Sequence, residues 1–278
     1  MNKKQIIVIV AAAVLLVFLL VIGKTVNPNK PKVEVMTAPK VDAFDFNAVL
    51  INSKNTLTKN LQEKIKLLEI ANENATEANK ISTYKQLAAL WKDSANIAEP
   101  YLFYIAEAAK LENSEKTLTF AAQRFTSNLL DVTDPALQNW LATNAKVLFE
   151  KALAINPNND SSKIGLGACY IFGNISDNPM TGILPVREIA TKTPDNLYAQ
   201  LVLGLGGKKS RQYDKAIERF LIIENKEPNN VLIVIHLAEC YEQKSDKINA
   251  IKYYTKAKDL VADGRIKKEI EKRITELK

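Results

Sequence analysis

Two consecutive stretches of equal length decide the fold: LYAQLVLGLGGKKSRQYDKAIERFLIIENKEPNN, residues 197–230, and VLIVIHLAECYEQKSDKINAIKYYTKAKDLVADG, residues 231–264. When the second is placed under the first, apolar, small and aromatic residues coincide at a period of 34 residues. The coinciding pairs are Leu203 with Leu237, Gly204 with Ala238, Ala216 with Ala250, and Phe220 with Tyr254. This order of small and aromatic positions predicts a stack of helix hairpins.

Close packing of helices explains the pattern. Small residues such as Gly204 and Ala216 let a neighbouring helix approach, and Phe220 fills the space between adjacent hairpins. One hairpin cannot bury its apolar face alone, so at least three must stack. The alternative is an ordinary helical bundle with coincidental spacing, which two copies in register disfavour.

These residues resemble the tetratricopeptide repeat (TPR) family, and the resemblance extends from about Ile81 to Lys278, weakest in the second repeat. It implies an all-α chain, a right-handed α-solenoid of about five helix hairpins, and the apolar N-terminal residues predict one transmembrane helix before it. The composition agrees with an all-α fold, because only 9 Gly and 10 Pro occur among 278 residues. The predicted repeats are 81-114, 115-159, 160-196, 197-230 and 231-264.

The second predicted repeat departs from the family because its second-helix pattern arrives late. The extra length contains Asp131 and Asp134-Pro135, which predict that one helix stops and another restarts with Asp134 as its N-cap.

Two capping regions flank the repeats. Residues 265-278 predict a C-terminal amphipathic helix, and residues 47-80 predict an N-terminal capping region with one amphipathic helix, for which self-association is the alternative role. The apolar positions are Ile266, Ile270, Ile274 and Leu277 in the first, and Leu57, Leu61, Ile65 and Leu68 in the second.

Residues 1-23 predict a transmembrane signal anchor. Ile6 to Gly23 has no polar or charged side chain, and its 18 residues at about 1.5 Å each match the hydrocarbon thickness. A cleaved signal peptide is the competing interpretation, although no A-x-A site follows. Lys3 and Lys4 favour a cytoplasmic N-terminus, with the repeats on the periplasmic side of the inner membrane.

Residues 24-46 predict a linker that contains Pro and Lys. Phe44 and Phe46, at its end, are expected to dock onto the edge of the domain.

Catalytic patterns are missing from the sequence. The single histidine, His236, lies among packed apolar positions, and no cluster has metal-ligand spacing, so we expect no enzyme, no metal and no cofactor. Gly204 to Ser210 lacks the first glycine of a phosphate loop. Cys169 and Cys240 should be free, buried thiols. The net charge is +7, but acidic residues are interspersed among the basic ones, and this pattern argues against a nucleic-acid partner.

The family resemblance places partner binding on a concave groove lined by the first helix of each repeat. The corresponding residues are Ile164, Ala168, Tyr198, Leu201, Leu205, Leu232, Ile235 and Glu239. Such an apolar groove accepts a peptide segment or an amphipathic helix of another protein, and no small-molecule substrate is expected. The alternative is that the N- or C-terminal helix fills the groove.

Two functions follow from this interpretation. The first is a membrane-tethered TPR scaffold or adaptor, including a chaperone-like role in bacterial cell envelope protein assembly. The second is a permanent structural subunit of a larger membrane complex with its groove occupied.

Overall fold

The computed structural model describes residues 43–73, 75–176 and 178–278, and all regular structure in these residues is helical. The prediction of an all-α chain is therefore confirmed for this part. We name the helices α1 Phe46–Asn55, α2 Lys59–Glu73, α3 Glu77–Ala89, α4 Ala98–Glu112, α5 Glu115–Asp131, α6 Pro135–Ile155, α7 Asp160–Phe172, α8 Met180–Lys192, α9 Leu197–Lys209, α10 Tyr213–Lys226, α11 Val231–Gln243, α12 Lys247–Leu260 and α13 Gly264–Leu277.

The helices from α3 onward pack as sequential hairpins. The pairs are α3 with α4, α5 with α6, α7 with α8, α9 with α10, and α11 with α12. Each hairpin also contacts the next, and α13 packs against α12 at the C-terminal end. Among the described helices, none combines the length and apolarity that a membrane crossing requires. The predicted span Ile6–Gly23 lies outside the described residues.

Close helix contact at Gly204 explains why the period contains small residues. A Cβ atom built on Gly204 of α9 would lie 2.6 Å from Cε1 of Phe220 on α10, far inside van der Waals contact. Phe220 is fully buried, as is Ala216 one turn earlier on α10. The glycine therefore makes room for the aromatic ring that fills the hairpin.

The turns inside the last two hairpins have the same geometry. Arg211 between α9 and α10 has φ of 59°, and Ser245 between α11 and α12 has φ of 61°, both in the left-handed region. Gln212 N–H donates to the carbonyl of Gly207 at 2.8 Å, and Asp246 N–H donates to that of Tyr241 at 2.9 Å. These bonds satisfy carbonyls at the ends of α9 and α11.

The second hairpin is longer than the others because its helices extend on both sides of Asp131–Pro135. α5 has 17 residues and α6 has 21. The Asp134 side chain accepts a hydrogen bond from Leu137 N–H at 2.7 Å, so the predicted N-cap is confirmed. Pro135 occupies the first turn of α6, where its missing N–H costs nothing.

The N-terminal region differs from the prediction. Where one amphipathic helix is expected in residues 47-80, the structure has α1 and α2, separated by Thr56–Thr58, and α3 already begins at Glu77. α1 also begins at Phe46, inside the predicted linker 24-46. No glycine or proline marks the break, which is held by hydrogen bonds from Thr56 and Leu57 N–H to the last carbonyls of α1.

Aromatic stacking fixes α1 to the hairpins. Phe46 stacks on Phe103 of α4 at 4.6 Å and on Trp140 of α6 at 5.4 Å between ring centroids. Phe44 lies 5.0 Å from the same Trp140 ring. Both phenylalanines therefore dock onto the domain, as expected. Glu69 of α2 adds a polar link, because it accepts from Lys54 of α1 at 2.7 Å.

Candidate binding surface on the first helices

The predicted groove residues do not share one environment in the structure. Ile164 and Ala168 of α7 are completely buried. Tyr198, Leu201 and Leu205 of α9 and Ile235 and Glu239 of α11 are half-buried. Leu232 at the start of α11 is 53% exposed.

The prediction that Ile164 and Ala168 line the groove is wrong, because side chains with 0% exposure cannot contact a partner. They are covered because α5 and α9 both pack on α7. Thr119 of α5 and Ser162 of α7 are both buried, and their hydroxyl oxygens lie 2.9 Å apart. This hydrogen bond holds the start of α7 against α5.

Tyr198 closes the same region from the side of α9. Burial raises the pKa of Tyr198 to about 12. The Tyr198 side chain packs against the core cluster that contains residues of α5 and α7. Tyr198 therefore contributes to the core and not to a binding surface. The accessible part of the first-helix face lies further along the chain, on α9, α11 and α13.

Four apolar residues occupy this accessible face, and we call them the apolar strip: Leu201, Leu205, Leu232 and Ile235. Leu201, Leu205 and Ile235 pack against the core that contains Val234 and Leu237, while keeping part of their surface open. Leu232 contributes the most exposed side chain of the four. Partly exposed apolar side chains from the first helices of two consecutive repeats, α9 and α11, therefore pack on the same core.

Three polar side chains border the apolar strip, and we call them the polar cluster: Lys208, His236 and Glu239. The Lys208 ammonium donates to Oε2 of Glu239. His236 Nδ1 lies 3.2 Å from Lys208 Nζ and 3.2 Å from Glu239 Oε2. Nδ1 can accept from Lys208 or, when protonated there, donate to Glu239, so the tautomer decides which bond forms.

The polar cluster favours the charged form of Glu239. Burial alone would raise the pKa of this carboxyl, but hydrogen bonds from His236 and Lys208, together with their charges, outweigh burial and hold the pKa below its ordinary value.

His236 is packed, as the sequence predicts, and its imidazole stacks on Phe220 with ring centroids 5.2 Å apart. Its side chain is only 15% exposed. Repeat position in the sequence predicts Glu239 at this surface but does not predict its partner Lys208. The spacing of 31 residues between them, one period less one helical turn, is the signal that could have found it.

α13 continues the first-helix face beyond α11. Arg273 Nε donates to Oε2 of Glu242 on α11 at 3.0 Å, and the Tyr254 hydroxyl donates to the same oxygen at 2.8 Å. Ile270 and Ile274 are buried against the last hairpin, whereas Ile266 remains 48% exposed. The exposed Ile266 follows Leu232 by 34 residues, so it extends the apolar surface by one repeat.

Reactive chemistry is absent from this face. Cys169 and Cys240 are free and buried, as predicted, and burial raises their pKa values to about 12 and about 11. Thiols with such pKa values are poor nucleophiles. In the part of the chain that the structure describes, no three His, Cys, Asp or Glu side chains are grouped to hold a metal ion. What this arrangement can do chemically is bind apolar and charged groups.

Comparisons with known proteins place the chain near several solved repeat proteins. No protein-family model matches, and no curated protein matches. A crystal structure of MamA is similar at 17% identity over 66% of this chain and 92% of that chain, with a TM-score of 0.43. MamA 41-end from Desulfovibrio magneticus RS-1 gives 22% identity, 65% and 94% coverage and a TM-score of 0.44. YrrB, described as a TPR protein with an unusual peptide-binding site, gives 16% identity, 73% and 96% coverage and a TM-score of 0.44.

Proposed function

We propose that this protein is a TPR-like interaction module that binds a peptide segment or an amphipathic helix of another protein along the apolar strip. The observation that carries the proposal is the exposure of Leu232, at 53%, beside the half-open side chains of Leu201, Leu205 and Ile235. Within the described residues, α1 and α2 pack on the first hairpin and α13 packs on the last, so Leu232 is left open.

The polar cluster would fix the orientation in which a partner segment binds along the apolar strip. An apolar segment alone would bind in either orientation, whereas a partner carrying a hydrogen-bonding group at one end would pair with Lys208, His236 or Glu239. Because Lys208 and Glu239 already neutralise each other, the partner would compete with an existing ion pair. Most of the affinity would therefore come from burial of apolar surface.

The proposal includes a membrane tether. Ile6–Gly23 would anchor the chain in the inner membrane, and Lys3 and Lys4 would keep the short head in the cytoplasm. The uncleaved chain should stay in the membrane fraction after a carbonate wash, and protease added to spheroplasts should digest the region after Lys24. An N-terminus that begins after Gly23 in the mature protein would contradict the anchor, and protection of the repeats in spheroplasts would contradict the orientation.

A photo-crosslinking amino acid at position 232 tests the binding surface in native membranes. The expected product is a crosslinked partner peptide at position 232 that is missing when the same group replaces Ile248, which is 83% exposed on α12. Leu232→Asp should abolish the interaction with the partner so identified, while Ile248→Asp should keep it.

The same experiment separates a client-binding adaptor from a permanent subunit. Varied crosslinked partners in small amounts favour an adaptor, including a chaperone-like one, and a single partner in equal amount favours a subunit of a membrane complex. Equal crosslinking at positions 232 and 248, with Leu232→Asp retaining every partner, would contradict the proposed surface. The right-handed sense of the solenoid stays a prediction.

A further inference from the structure

A second concave site lies on the opposite side of α9 from the apolar strip. A cleft of about 320 Å³ opens between α8, α9 and α10. We call it the α9 cleft, and its charged lining residues are Arg187, Lys215, Glu218 and Arg219. Leu203 and Gly206 of α9, and Ser210 directly after it, line the cleft, whereas Leu201, Leu205 and Lys208 lie on the other side of the helix, which is the separation that a helical period produces.

Arg219 is held in place by a buried amide. Its Nη1 donates to Oε1 of Gln200 at 3.0 Å, and Gln200 Nε2 donates to the carbonyl of Pro194 at 2.8 Å. The Gln200 side chain is completely buried, with both ends of its amide used. A guanidinium group has five N–H donors, so this bond orients the group and leaves other donors for a ligand.

The charge of the cleft is positive. Arg187 on α8 and Lys215 and Arg219 on α10 contribute three cations, against one carboxylate from Glu218. Across residues 43–73, 75–176 and 178–278, no salt bridge within 4.0 Å involves Arg187, Lys215 or Arg219. The cleft therefore presents two arginines whose charge is not neutralised by a described carboxylate.

The remaining lining is apolar or without side chains. The apolar walls of the cleft are formed by Ile171, Ile183, Val202 and Leu203. Gly206 and Gly207 contribute only backbone atoms to the lining. A Cβ on Gly207 would lie 3.3 Å from that of Ala216 on α10, so the two helices are in close contact here. This lining suits a ligand with two neighbouring side chains: a carboxylate that pairs with the positively charged groups and an aliphatic group that packs on the apolar walls.

We infer that the α9 cleft binds an acidic segment of a protein partner, with an Asp or Glu carboxylate on Arg219 and Arg187 and a neighbouring aliphatic side chain on the apolar walls. Arginine suits this role because its planar donors match a carboxylate in two-point contact. A cleft that opens to solvent between α8, α9 and α10 also accommodates a chain that continues in both directions. This site is independent of the apolar strip.

A peptide library tests the inference directly. The full-length protein, in mild detergent, is immobilised and offered 12-residue peptides in which each position is Glu, Gln, Asp, Asn, Leu or Gly. The readout is the ratio of carboxylates to their isosteric amides in the captured pool. We expect the wild-type protein to raise this ratio several-fold over the input, and Arg219→Gln and Arg187→Gln each to return it towards the input value.

Three comparisons make the outcome decisive. Arg187→Gln serves as the variant that removes no internal hydrogen bond, in case Arg219→Gln fails to fold. Arg265→Gln, an arginine with a 93% exposed side chain on α13, should keep the enrichment, and so should Leu232→Asp, which separates this site from the proposed strip. A ratio equal to the input, or equal enrichment by Arg187→Gln, would overturn the inference. Binding of free glutarate or inorganic phosphate as tight as that of the captured peptides, at matched ionic strength, would show a small-anion site and overturn the peptide assignment.

Discussion

The Lys208 ammonium group on α9 is paired with the Glu239 carboxylate on α11. The same relationship recurs 34 residues later with the charges exchanged, because Glu242 on α11 is paired with Arg273 on α13. Each pair joins the end of one first helix to the middle of the next. These side chains therefore couple consecutive repeats at one edge of the apolar strip.

The depressed pKa of Glu239 predicts that acid weakens this coupling. A carboxyl whose pKa is lower in the folded state stabilises the fold above its unfolded pKa, near 4.3, and loses that contribution as the pH falls through the folded value. We expect Glu239→Gln to lower the free energy of unfolding at pH 7, with a difference from wild type that shrinks below about pH 4. Urea unfolding at several pH values measures this.

Glu271→Gln is the matched control for Glu239→Gln. Glu271 is 59% exposed and lies 3.8 Å from Lys258, and exposed pairs contribute about 0–1 kcal/mol. A difference for Glu239→Gln that stays constant from pH 7 to pH 3 would contradict the role assigned to its ionised form.

Gly204→Ala should destabilise the fourth hairpin. Even a methyl group would lie 2.6 Å from the buried Phe220 ring, and overpacking of this kind costs about 1–3 kcal/mol. Gly264→Ala is the control, because a Cβ there meets nothing within 4 Å, and the substitution should be neutral or stabilising by up to about 1 kcal/mol. Equal unfolding free energies for the two variants in urea would contradict the close contact of α9 and α10.

Phe46→Ala should release α1. The substitution removes one ring and with it two stacking contacts, to Phe103 and to Trp140, and each aromatic pair contributes about 0.5–1.5 kcal/mol beyond its buried area. We expect trypsin to cut faster at Lys54 or Lys59 and the fluorescence of Trp140 to change. Ile51→Ala on the same helix removes a side chain that is 58% exposed and should leave both unchanged. Cleavage rates that do not differ would show that other contacts hold α1.

Arg211→Gly should stabilise the protein. Arg211 has φ of 59°, where a residue with a Cβ pays about 1–2 kcal/mol and glycine does not. After the entropic cost of glycine, a net gain of about 0.5–1 kcal/mol remains. The matched control is Lys252→Gly in the interior of α12, which should lose about 0.5–1 kcal/mol. A loss of thermal stability in Arg211→Gly would contradict the turn geometry.

The sequence predicts the helices of the C-terminal half well because each hairpin there repeats the same small and aromatic positions. Local chemistry also reveals the Asp134 cap. It does not reveal the break between α1 and α2, where Thr56–Thr58 contains neither glycine nor proline. Backbone hydrogen bonds from Thr56 and Leu57 hold that break, and the helix before it docks through Phe46 onto Phe103 and Trp140, which are distant in sequence.

The candidate site is predicted less completely, for a geometric reason. Whether a first-helix residue is open depends on how closely the preceding and following helices approach. Ile164 and Ala168 occupy groove positions of the repeat, yet the packing of α5 and α9 on α7 covers them. Position within a repeat identifies candidates, but the packing of the neighbouring helices decides which of them a partner can reach.

The ion pairs of Lys208 with Glu239 and of Glu242 with Arg273 also make the C-terminal half an elastic element whose stiffness depends on salt. Any motion that separates α9 from α11, or α11 from α13, must stretch the pair of Lys208 with Glu239 or that of Glu242 with Arg273. High ionic strength screens both pairs and therefore softens the stack. The repeats should then extend more readily under load, and their radius of gyration in solution should grow with added salt.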